Sequence, residues 1–400
     1  MRLYSLSWKN IWRNKVRSGV IIGAIAIGLF AGTYMCAFLL GWEMGSLNND
    51  VASHISHIQI HKPEFIADKN IREVFSKAEI ETTLLSSGIE AKVAYRLKIS
   101  GMLASAANAV GVEASGVFPD EERAVSDIYA HIDDSLGSYL PPEAKMPIVI
   151  SKKTAEKLKV HLKSKIVFTF SDAEGDIQSL AFRVSGIYST TNSMYDENSV
   201  YMRYSDLIGS AGLPEGSVHE VAMIFPDLET CDIFYPQVKA LFPNLRVDDW
   251  RIISPTHSLS LAWMDLISFL IVGIFLFALS FGIVNTMLMA VLERSREIRM
   301  LNAIGMSKNR IFSMIMLETL MLTAVGSLSG ILIAALVILP TLESGIDLTP
   351  LMGTGFEDWG YGSTIYPIMN LKMFAEIILL VVVTGILSAI YPALKALKIN

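Results

Sequence analysis

The chain has 400 residues, of which 52% are hydrophobic and 18% are charged, and its formal net charge is -6. Its mean hydropathy is positive. This composition suits either a large soluble enzyme or a membrane protein with a soluble part, and no nucleic-acid partner is expected. The distribution of the charged residues decides between these two classes.

Charged residues are absent from four long apolar stretches. A bilayer core of about 30 Å needs about 20 helical residues, and each stretch is that long or nearly so. The stretches are Ser18 to Trp42, Leu266 to Leu292, Thr319 to Leu342 and Ile377 to Leu394. The sequence therefore predicts four transmembrane helices, over residues 18–42, 261–292, 308–340 and 373–396.

Basic residues collect on one side of these predicted helices, which marks the cytoplasmic side. They precede the first helix, connect the second to the third and follow the fourth: Arg2, Lys9, Arg13, Lys15, Arg17, Arg294, Arg296, Arg299, Lys308, Arg310, Lys395 and Lys398. The loop of residues 341–372 instead has four acidic residues and one basic residue. Both termini and an elbow over residues 1–17 are therefore predicted to be cytoplasmic, and this loop extracytoplasmic.

A long insertion, residues 43–260, separates the first two predicted helices and is large enough to bury its own core. Runs of branched and aromatic residues predict strands, and Ser151 is expected to cap a helix through Lys159. The predicted strands cover residues 148–150, 166–170, 182–188, 199–202 and 221–225, and a second helix covers residues 231–241. We expect an extracytoplasmic α+β domain of two lobes, divided at the proline-containing residues 140–147.

The first apolar stretch is expected to be a retained helix rather than a cleaved signal peptide. It is longer than a typical signal core and has no clear small-x-small cleavage site before Trp42. Cys36 lies in this predicted helix and Cys231 in the insertion, so we expect no disulfide between them.

Three histidines raise the question of a metal site. His54, His57 and His61 follow a helical spacing, but the segment "HIQIH" is more typical of a strand. No cysteine or close carboxylate completes a ligand set, so no metal is predicted.

Charge is concentrated between the second and third predicted helices. Residues 293–299 contain five charged side chains. Ile298, Leu301 and Ile304 recur at a spacing of three, which predicts a short amphipathic helix within residues 293–307. Gly305 is expected to end this helix, and Ser307 to cap the next one. Such a helix could rest at the lipid interface, with its arginines on lipid phosphates, or it could dock a partner protein.

Several segments resemble the FtsX/MacB/LolC-LolE permease superfamily, the four-helix membrane subunits of type VII ABC transporters. "ERSREIRMLNAIGMSKNRI" (293–311) is similar to the family's cytoplasmic coupling segment, and "LSWKNIWRNKVRSGVIIGAIAIG" (6–28) to its elbow and first helix. "FRVSGIYSTTNSMYDENSVYM" (182–202) resembles a stretch of the lipoprotein-releasing permeases. "YPALKALKIN" (391–400) resembles the family's end, although the usual continuation is missing.

This resemblance implies that two copies of a separate ABC ATPase bind ATP and Mg, and that a second permease, identical or paralogous, completes the complex. The sequence has no G-x-x-x-x-G-K-[ST] phosphate loop, so neither a cofactor nor a catalytic residue is expected in this chain. The residues expected to contact the ATPase are Glu293, Arg294, Arg296, Glu297, Ile298, Leu301 and Gly305. Movement of these residues would reach the outer domain through the membrane helices, a process called mechanotransmission.

Glycines separated by three residues predict close helix packing, within the chain or with a second permease. The pairs are Gly19 with Gly23, Gly28 with Gly32, and Gly326 with Gly330. Glu318 is expected to face a polar pocket or to reach water or Arg310, and Asn285 to form an interhelical hydrogen bond.

Three functions follow from the resemblance, each at a bacterial inner membrane with the large domain in the periplasm. The first is release of lipoproteins to a periplasmic carrier, which is favoured by the 182–202 stretch. The second is MacB-like export of drugs, peptides or other cargo, although such proteins usually carry a fused ATPase. The third is FtsX-like signalling to a cell-wall hydrolase, a branch with a much smaller outer domain. A sensor would need a cytoplasmic signalling module, and the residues that contact cargo are not predicted.

Overall fold

The computed structural model describes residues 3–190, 192–352, 364–369 and 371–398. They form two units. We call one the helical unit, which lies within residues 1–43, 260–347 and 364–400, and the other the insertion domain, which contains residues 44–259. As the sequence predicts, the large domain is inserted between the first and second long apolar helices.

The helices are α1 Leu3–Arg13, α2 Lys15–Asp50, α3 Pro63–Asp68, α4 Lys77–Ser87, α5 Pro119–Val125, α6 Lys152–Leu158, α7 Ser193–Asn198, α8 Tyr204–Ile208, α9 Leu228–Leu241, α10 Trp250–Ile253, α11 Pro255–Glu293, α12 Ser295–Ala303, α13 Lys308–Ser344, α14 Thr349–Met352 and α15 Leu371–Leu397.

The strands are β1 Ile58–His61, β2 Phe75–Ser76, β3 Lys92–Ala104, β4 Ala109–Val117, β5 Ile132–Gly137, β6 Pro147–Ser151, β7 Lys165–Ser171, β8 Ile177–Tyr188, β9 Ser199–Arg203, β10 Ser217–Val218, β11 Glu220–Ile224, β12 Arg246–Asp249, β13 Ile346–Asp347 and β14 Thr364–Ile365.

Within the part of the chain that the structure describes, four helices, α2, α11, α13 and α15, are long and apolar enough to cross a membrane. The shortest, α15, has 27 residues and at 1.5 Å per residue spans about 40 Å, more than the bilayer core of about 30 Å. Helix α2 continues to Asp50 rather than ending near Trp42. The polar residues that follow Trp42 lower its hydropathy, but no proline among them breaks the helix.

Buried aliphatic side chains fill two clusters in the helical unit. One joins Ile11 of α1, Val291 of α11, Ile298 of α12 and Ile311 of α13. The other includes Leu29 of α2 and further residues of α11, α13 and α15. The short helices α1 and α12 are therefore held to the long helices by shared apolar packing.

Ten strands of the insertion domain form one mixed sheet, in the order β12-β1-β11-β3-β4-β9-β6-β8-β5, with β7 paired to β3 and β8. Its longest pairing joins β3 to β4, antiparallel from Arg96↔Val117 to Ala104↔Ala109. The five predicted strands are all present, as β6, β7, β8, β9 and β11. The Ser151 hydroxyl accepts a hydrogen bond from the Thr154 N–H and caps α6 as predicted.

Two lobes are not confirmed. The predicted boundary at residues 140–147 falls between β5 and β6, yet both strands pair with β8. The segment therefore connects strands of one continuous sheet rather than two separate sheets. The overall prediction of four apolar helices and a large α/β domain fits the structure.

An ion-pair network lies inside the sheet domain. Arg96, with 2% of its side chain exposed, binds Glu122 and Glu220, both at 2.7 Å. Lys98 pairs with Glu220 at 3.7 Å and with Glu113 at 3.3 Å. Burial opposes ionisation of Glu220, but the charges of Lys98 and Arg96 outweigh it and hold the pKa of Glu220 well below its ordinary value of 4.5.

Candidate functional site

The coupling segment, residues 293–307, contains a distinct short helix at one end of the long helices. Helix α12 begins after a break at Arg294, whose φ and ψ are −91° and 15°. It ends at Ala303, and Gly305 follows with a φ of +95°, a left-handed conformation that glycine adopts without strain. The Met306 N–H then donates to the Leu301 carbonyl at 3.0 Å, so the predicted stop at Gly305 has the geometry of a helix C-cap.

Arg294 ties this segment to two other helices. Its Nη1 donates to Glu318 Oε1 of α13 at 2.9 Å, and its Nη2 donates to the Asn10 carbonyl of α1 at 2.9 Å. The side chains of Arg294 and Glu318 are only 13% and 9% exposed. Glu318 thus faces a polar pocket, one of the two predicted environments, and its partner there is Arg294 rather than Arg310.

Two further ion pairs fasten the coupling segment to the N-terminal region. Glu297 accepts a hydrogen bond from Arg13 Nη2 at 2.7 Å, and Glu293 pairs with Arg17. The hydrogen bond from Arg13 lowers the pKa of Glu297. Exposed pairs of this kind contribute little energy singly, about 0–1 kcal/mol. Their effect here is to fix the direction in which α12 lies against α1 and the start of α2.

The apolar residues of α12 have different environments. Ile298 is 6% exposed and packs against Ile11 and Ile311 in the core of the helical unit. Leu301 is half-buried and lines a cavity of about 350 Å³. The cavity is bounded by α1, α11, α12 and α13, and the carboxylates of Glu297 and Glu318 also line it. Ile298 is therefore an internal anchor of the helical unit, and its predicted contact with the ATPase stays a prediction.

The opposite side of α12 we call the outer face; it consists of Arg296, Arg299, Met300 and Ile304. Met300 is 55% exposed and Ile304 is 76% exposed, and both arginines are exposed. Their spacing of three or four residues places them on one side of the helix. The outer face thus exposes two apolar side chains flanked by two arginines. The other side of α12 packs against the rest of the helical unit.

The predicted contact residues consequently separate into three groups. Arg294 and Ile298 are buried, while Glu293 and Glu297 are exposed but paired within the chain. Arg296 is exposed, as is Gly305. Met300 was not among the predicted contacts, although it lies one turn after Arg296, and Ile304 was predicted only as part of the apolar stripe.

The predicted glycine pairs also have different surroundings. A Cβ on Gly326 would lie 2.8 Å from Ile25 Cβ, and one on Gly330 would lie 2.8 Å from the Ala26 carbonyl oxygen. These two glycines therefore allow α13 to pack closely on α2. Gly28 and Gly32 face α11 side chains, whereas Gly19 and Gly23 have open space around the Cβ position. A contact of Gly19 and Gly23 with a second permease stays a prediction.

A second polar group, which we call the clasp, lies in the insertion domain and consists of Asp50, Asn192 and His257. Asp50 Oδ2 is 3.0 Å from His257 Nε2, and Asn192 Nδ2 donates to both Asp50 oxygens at 3.3 Å. Asp50 ends α2, and His257 lies in the first turn of α11. The clasp therefore joins the two chain segments through which the domain is connected to the long apolar helices.

The resemblance stretch 182–202 supplies the third member of the clasp. The Asn192 side chain also caps α7 by accepting from the Tyr195 N–H at 3.1 Å, and the Tyr195 ring stacks on His54 at 4.1 Å between centroids. Burial raises the pKa of Asp196 to about 6, although hydrogen bonds from Thr190 oppose this. No local pattern in the sequence indicates the clasp, because its residues are far apart along the chain.

The three histidines considered as metal ligands have other partners. His57 Nδ1 accepts a hydrogen bond from the Phe225 N–H at 3.0 Å, and His61 Nε2 is 3.2 Å from Glu220 Oε2. Residues 58–61 form β1, so the strand interpretation is correct. Among the residues that the structure describes, no group of three or more His, Cys, Asp or Glu side chains could hold a metal ion.

Within the described residues, four helices are long and apolar enough to cross a membrane, and a large domain is inserted between the first two. This arrangement is that of a multi-pass membrane protein with a large domain outside the membrane. Residues 269–400 match the family described as FtsX-like permease C-terminal. Over 119 residues the chain is 31% identical to the macrolide export ATP-binding/permease protein MacB of Chlorobium luteolum. That match covers 30% of this chain and 15% of the relative, so the chain spans only a small part of that protein. Both matches support the FtsX/MacB superfamily.

Three solved structures are similar to this chain at low identity. The extracellular domain of the noncanonic ABC-type transporter YknZ from Gram-positive bacteria is 16% identical, with a TM-score of 0.34, and the match covers 48% of this chain and 99% of that one. The periplasmic region of MacB from Actinobacillus actinomycetemcomitans is 12% identical, with a TM-score of 0.33 and coverages of 53% and 96%. A domain of a permease protein from Porphyromonas gingivalis is 11% identical, with a TM-score of 0.26 and coverages of 48% and 85%.

Proposed function

We propose that this chain is the membrane subunit of an ATP-driven ABC transporter and that the outer face of α12 docks an ATPase. The observation that carries this proposal is the combination of Met300 and Ile304, exposed on a short helix, with Arg296 and Arg299 beside them. Apolar anchors supply contact energy at a protein interface, and surrounding charges set its register. ATP and Mg then belong to the partner, and the chain itself is not a catalyst.

Force reaches the rest of the chain through the opposite side of α12. Ile298 is packed in the core of the helical unit, and Arg294 is bonded to both α1 and α13. The pairs Glu293–Arg17 and Glu297–Arg13 add lateral restraint. A displacement of α12 by a closing pair of ATPases therefore moves α1, α11 and α13 together, because close-packed interiors transmit displacement rather than absorb it.

This function requires the coupling segment to be cytoplasmic and the insertion domain to be outside, which the basic residues near α1 and α12 support. We place the chain in a bacterial inner membrane, paired with a second permease, identical or paralogous, and with the insertion domain in the periplasm. For cargo, we propose lipoprotein release toward a periplasmic carrier. This choice rests on the resemblance of residues 182–202, which form part of the clasp through Asn192.

The second candidate is export of drugs, peptides or other cargo. The name of the 31% identical relative states macrolide export for that protein. The two candidate functions can be distinguished by the chemistry of the cargo that stimulates ATP hydrolysis. Stimulation of ATP hydrolysis by a triacylated lipoprotein, but not by the same protein without its acyl chains, supports lipoprotein release. Stimulation by a macrolide and not by the lipoprotein supports the exporter and rules out the release function.

The docking proposal is tested by purifying the tagged full-length chain from its own membranes and measuring the ABC ATPase that co-purifies with it. Ile304→Asp should reduce the retained ATPase about tenfold or more, because full burial of an isoleucine is worth about 1.5–3 kcal/mol. Ile177→Asp is the matched control, since Ile177 is 78% exposed on the insertion domain. Equal ATPase retention by both variants contradicts the proposed contact.

A further inference from the structure

A narrow crevice runs between α11 and α15, near the ends of these helices that are far from the coupling segment. Its volume is about 170 Å³. The crevice floor consists of Val272, Met373 and Ile377, each no more than 9% exposed. Phe269 and Leu379, which are 56% and 63% exposed, form its rims. The floor of the crevice is therefore apolar and is formed by side chains that pack against the rest of the helical unit.

Charged groups surround the mouth of this crevice. Lys372 of α15 bridges to Asp265 of α11 at 2.9 Å. Glu376, one turn further along α15, lines the crevice and lies 4.0 Å from Lys372. Among the described residues near the crevice, these two carboxylates and one ammonium carry a net charge of -1, which is complementary to a cation. Glu376 is also 54% exposed on a membrane-length helix, a costly position for a carboxylate in lipid unless a partner is provided.

We infer that this crevice binds one phospholipid whose headgroup carries a primary ammonium, with an acyl chain on the apolar floor and the ammonium at Glu376. The bilayer supplies this occupant, because residues on the outward sides of the same two helices are exposed and apolar, among them Leu270, Ile274 and Val383. A primary ammonium donates hydrogen bonds to Glu376 and Asp265, whereas a trimethylated ammonium has no N–H to donate. The inference requires membrane insertion but is independent of the ATPase contact.

The test uses the full-length chain in nanodiscs made from equal amounts of phosphatidylethanolamine and phosphatidylcholine. Lipids that stay bound after release into mild detergent are counted by native mass spectrometry. The wild-type chain should retain phosphatidylethanolamine in preference to phosphatidylcholine. Glu376→Gln should lower this preference about tenfold, which corresponds to the loss of one charge-assisted hydrogen bond.

Two matched pairs of variants test the acyl-chain site and the headgroup site separately. Val272→Trp fills the floor and should remove the retained lipid of both kinds, while Val383→Trp, at an outward residue of α15 that is 42% exposed, should retain it. Glu343→Gln removes an exposed carboxylate from α13 and should keep the preference. If Val272→Trp fails to fold, the conservative pair Glu376→Gln and Glu343→Gln still tests whether Glu376 selects the lipid headgroup. An unchanged preference in Glu376→Gln, or an equal loss in both glutamine variants, overturns the inference.

Discussion

Arg294 and Glu318 form a buried ion pair, with Nη1 and Oε1 2.9 Å apart, between the start of α12 and the interior of α13. Both residues line the cavity that Leu301 also lines, and Arg294 donates to the Asn10 carbonyl of α1 as well. The pair joins a charged group of the coupling segment to a long helix through side chains that are only 13% and 9% exposed. This ion pair therefore couples movement of α12 to α13, and dissolved salt screens it less than it screens an exposed pair.

Arg294→Met should lower the stability of the helical unit by about 3–5 kcal/mol, because it leaves the Glu318 carboxylate buried without its partner. Thermal unfolding of the full-length chain in detergent measures this effect. Arg294→Met combined with Glu318→Leu should recover most of the loss, since the unpaired charge is then absent. If the double variant is no more stable than the single one, the pair does not have the role assigned to it.

Acid should destabilise the insertion domain through Glu220. Its pKa in the folded state lies well below the ordinary value of 4.5 because Lys98 and Arg96 outweigh the effect of burial. A lowered pKa contributes stability that is present above pH 4.5 and is lost as pH falls through the folded-state pKa. Glu220→Gln should therefore cost about 3–5 kcal/mol at pH 7 and reduce the difference in stability between pH 7 and pH 4.

Hydrogen exchange of the β3 amides at several pH values measures the Glu220 contribution. Glu215→Gln is a suitable control, because Glu215 is exposed nearby in the sequence. An equal pH dependence for wild type and Glu220→Gln would show that the network is not what acid disrupts.

Gly330→Ala should destabilise the packing of α13 on α2. The added Cβ would lie 2.8 Å from the Ala26 carbonyl oxygen, which belongs to the backbone and cannot rotate away. Overpacking of this kind costs about 1–3 kcal/mol, more than the roughly 1 kcal/mol by which alanine exceeds glycine in helix propensity. Gly19→Ala, which meets open space, should leave the melting temperature of the full-length chain unchanged or raise it.

The clasp should control local opening where the insertion domain joins the long helices. His257→Ala removes the group that is 3.0 Å from the Asp50 carboxylate, a hydrogen bond to a charged group worth about 1.5–3 kcal/mol. Amide exchange at the end of α2, residues 47–50, should accelerate at least tenfold. His161→Ala, at an exposed histidine of the same domain, should have no such effect, and similar exchange in both variants would exclude a clasp.

Local sequence patterns predicted those helices and strands whose own residues are enough to identify them. The branched residues of β6 and β8 and the long uncharged runs of α11 and α13 identify strands and membrane helices without knowledge of their neighbours. Strand β3 escaped this reasoning because it carries Arg96 and Lys98 on a buried sheet. These cations fit there only because Glu122 and Glu220, distant in sequence, neutralise them.

The position of the candidate site in the sequence could be predicted, but the side of the helix that is exposed could not. Charge density and the spacing of Ile298 and Leu301 indicated a short amphipathic helix, yet they could not tell which side would be buried. That choice depends on Asn10 and Glu318, which bind Arg294 from 284 and 24 residues away. Long-range partners of this kind leave no periodic signal in the sequence.

Site-specific photocrosslinking from the outer face of α12 tests the central claim most directly. A benzophenone amino acid replaces Met300, which is 55% exposed, or Met287, which is 2% exposed and lines the internal cavity. The account predicts that the probe at Met300 crosslinks to a nucleotide-binding ATPase in membranes, with a yield that changes when ATP is added, and that the probe at Met287 does not. Crosslinks from Met300 to lipid alone, or to a protein outside the cytoplasm, would contradict it.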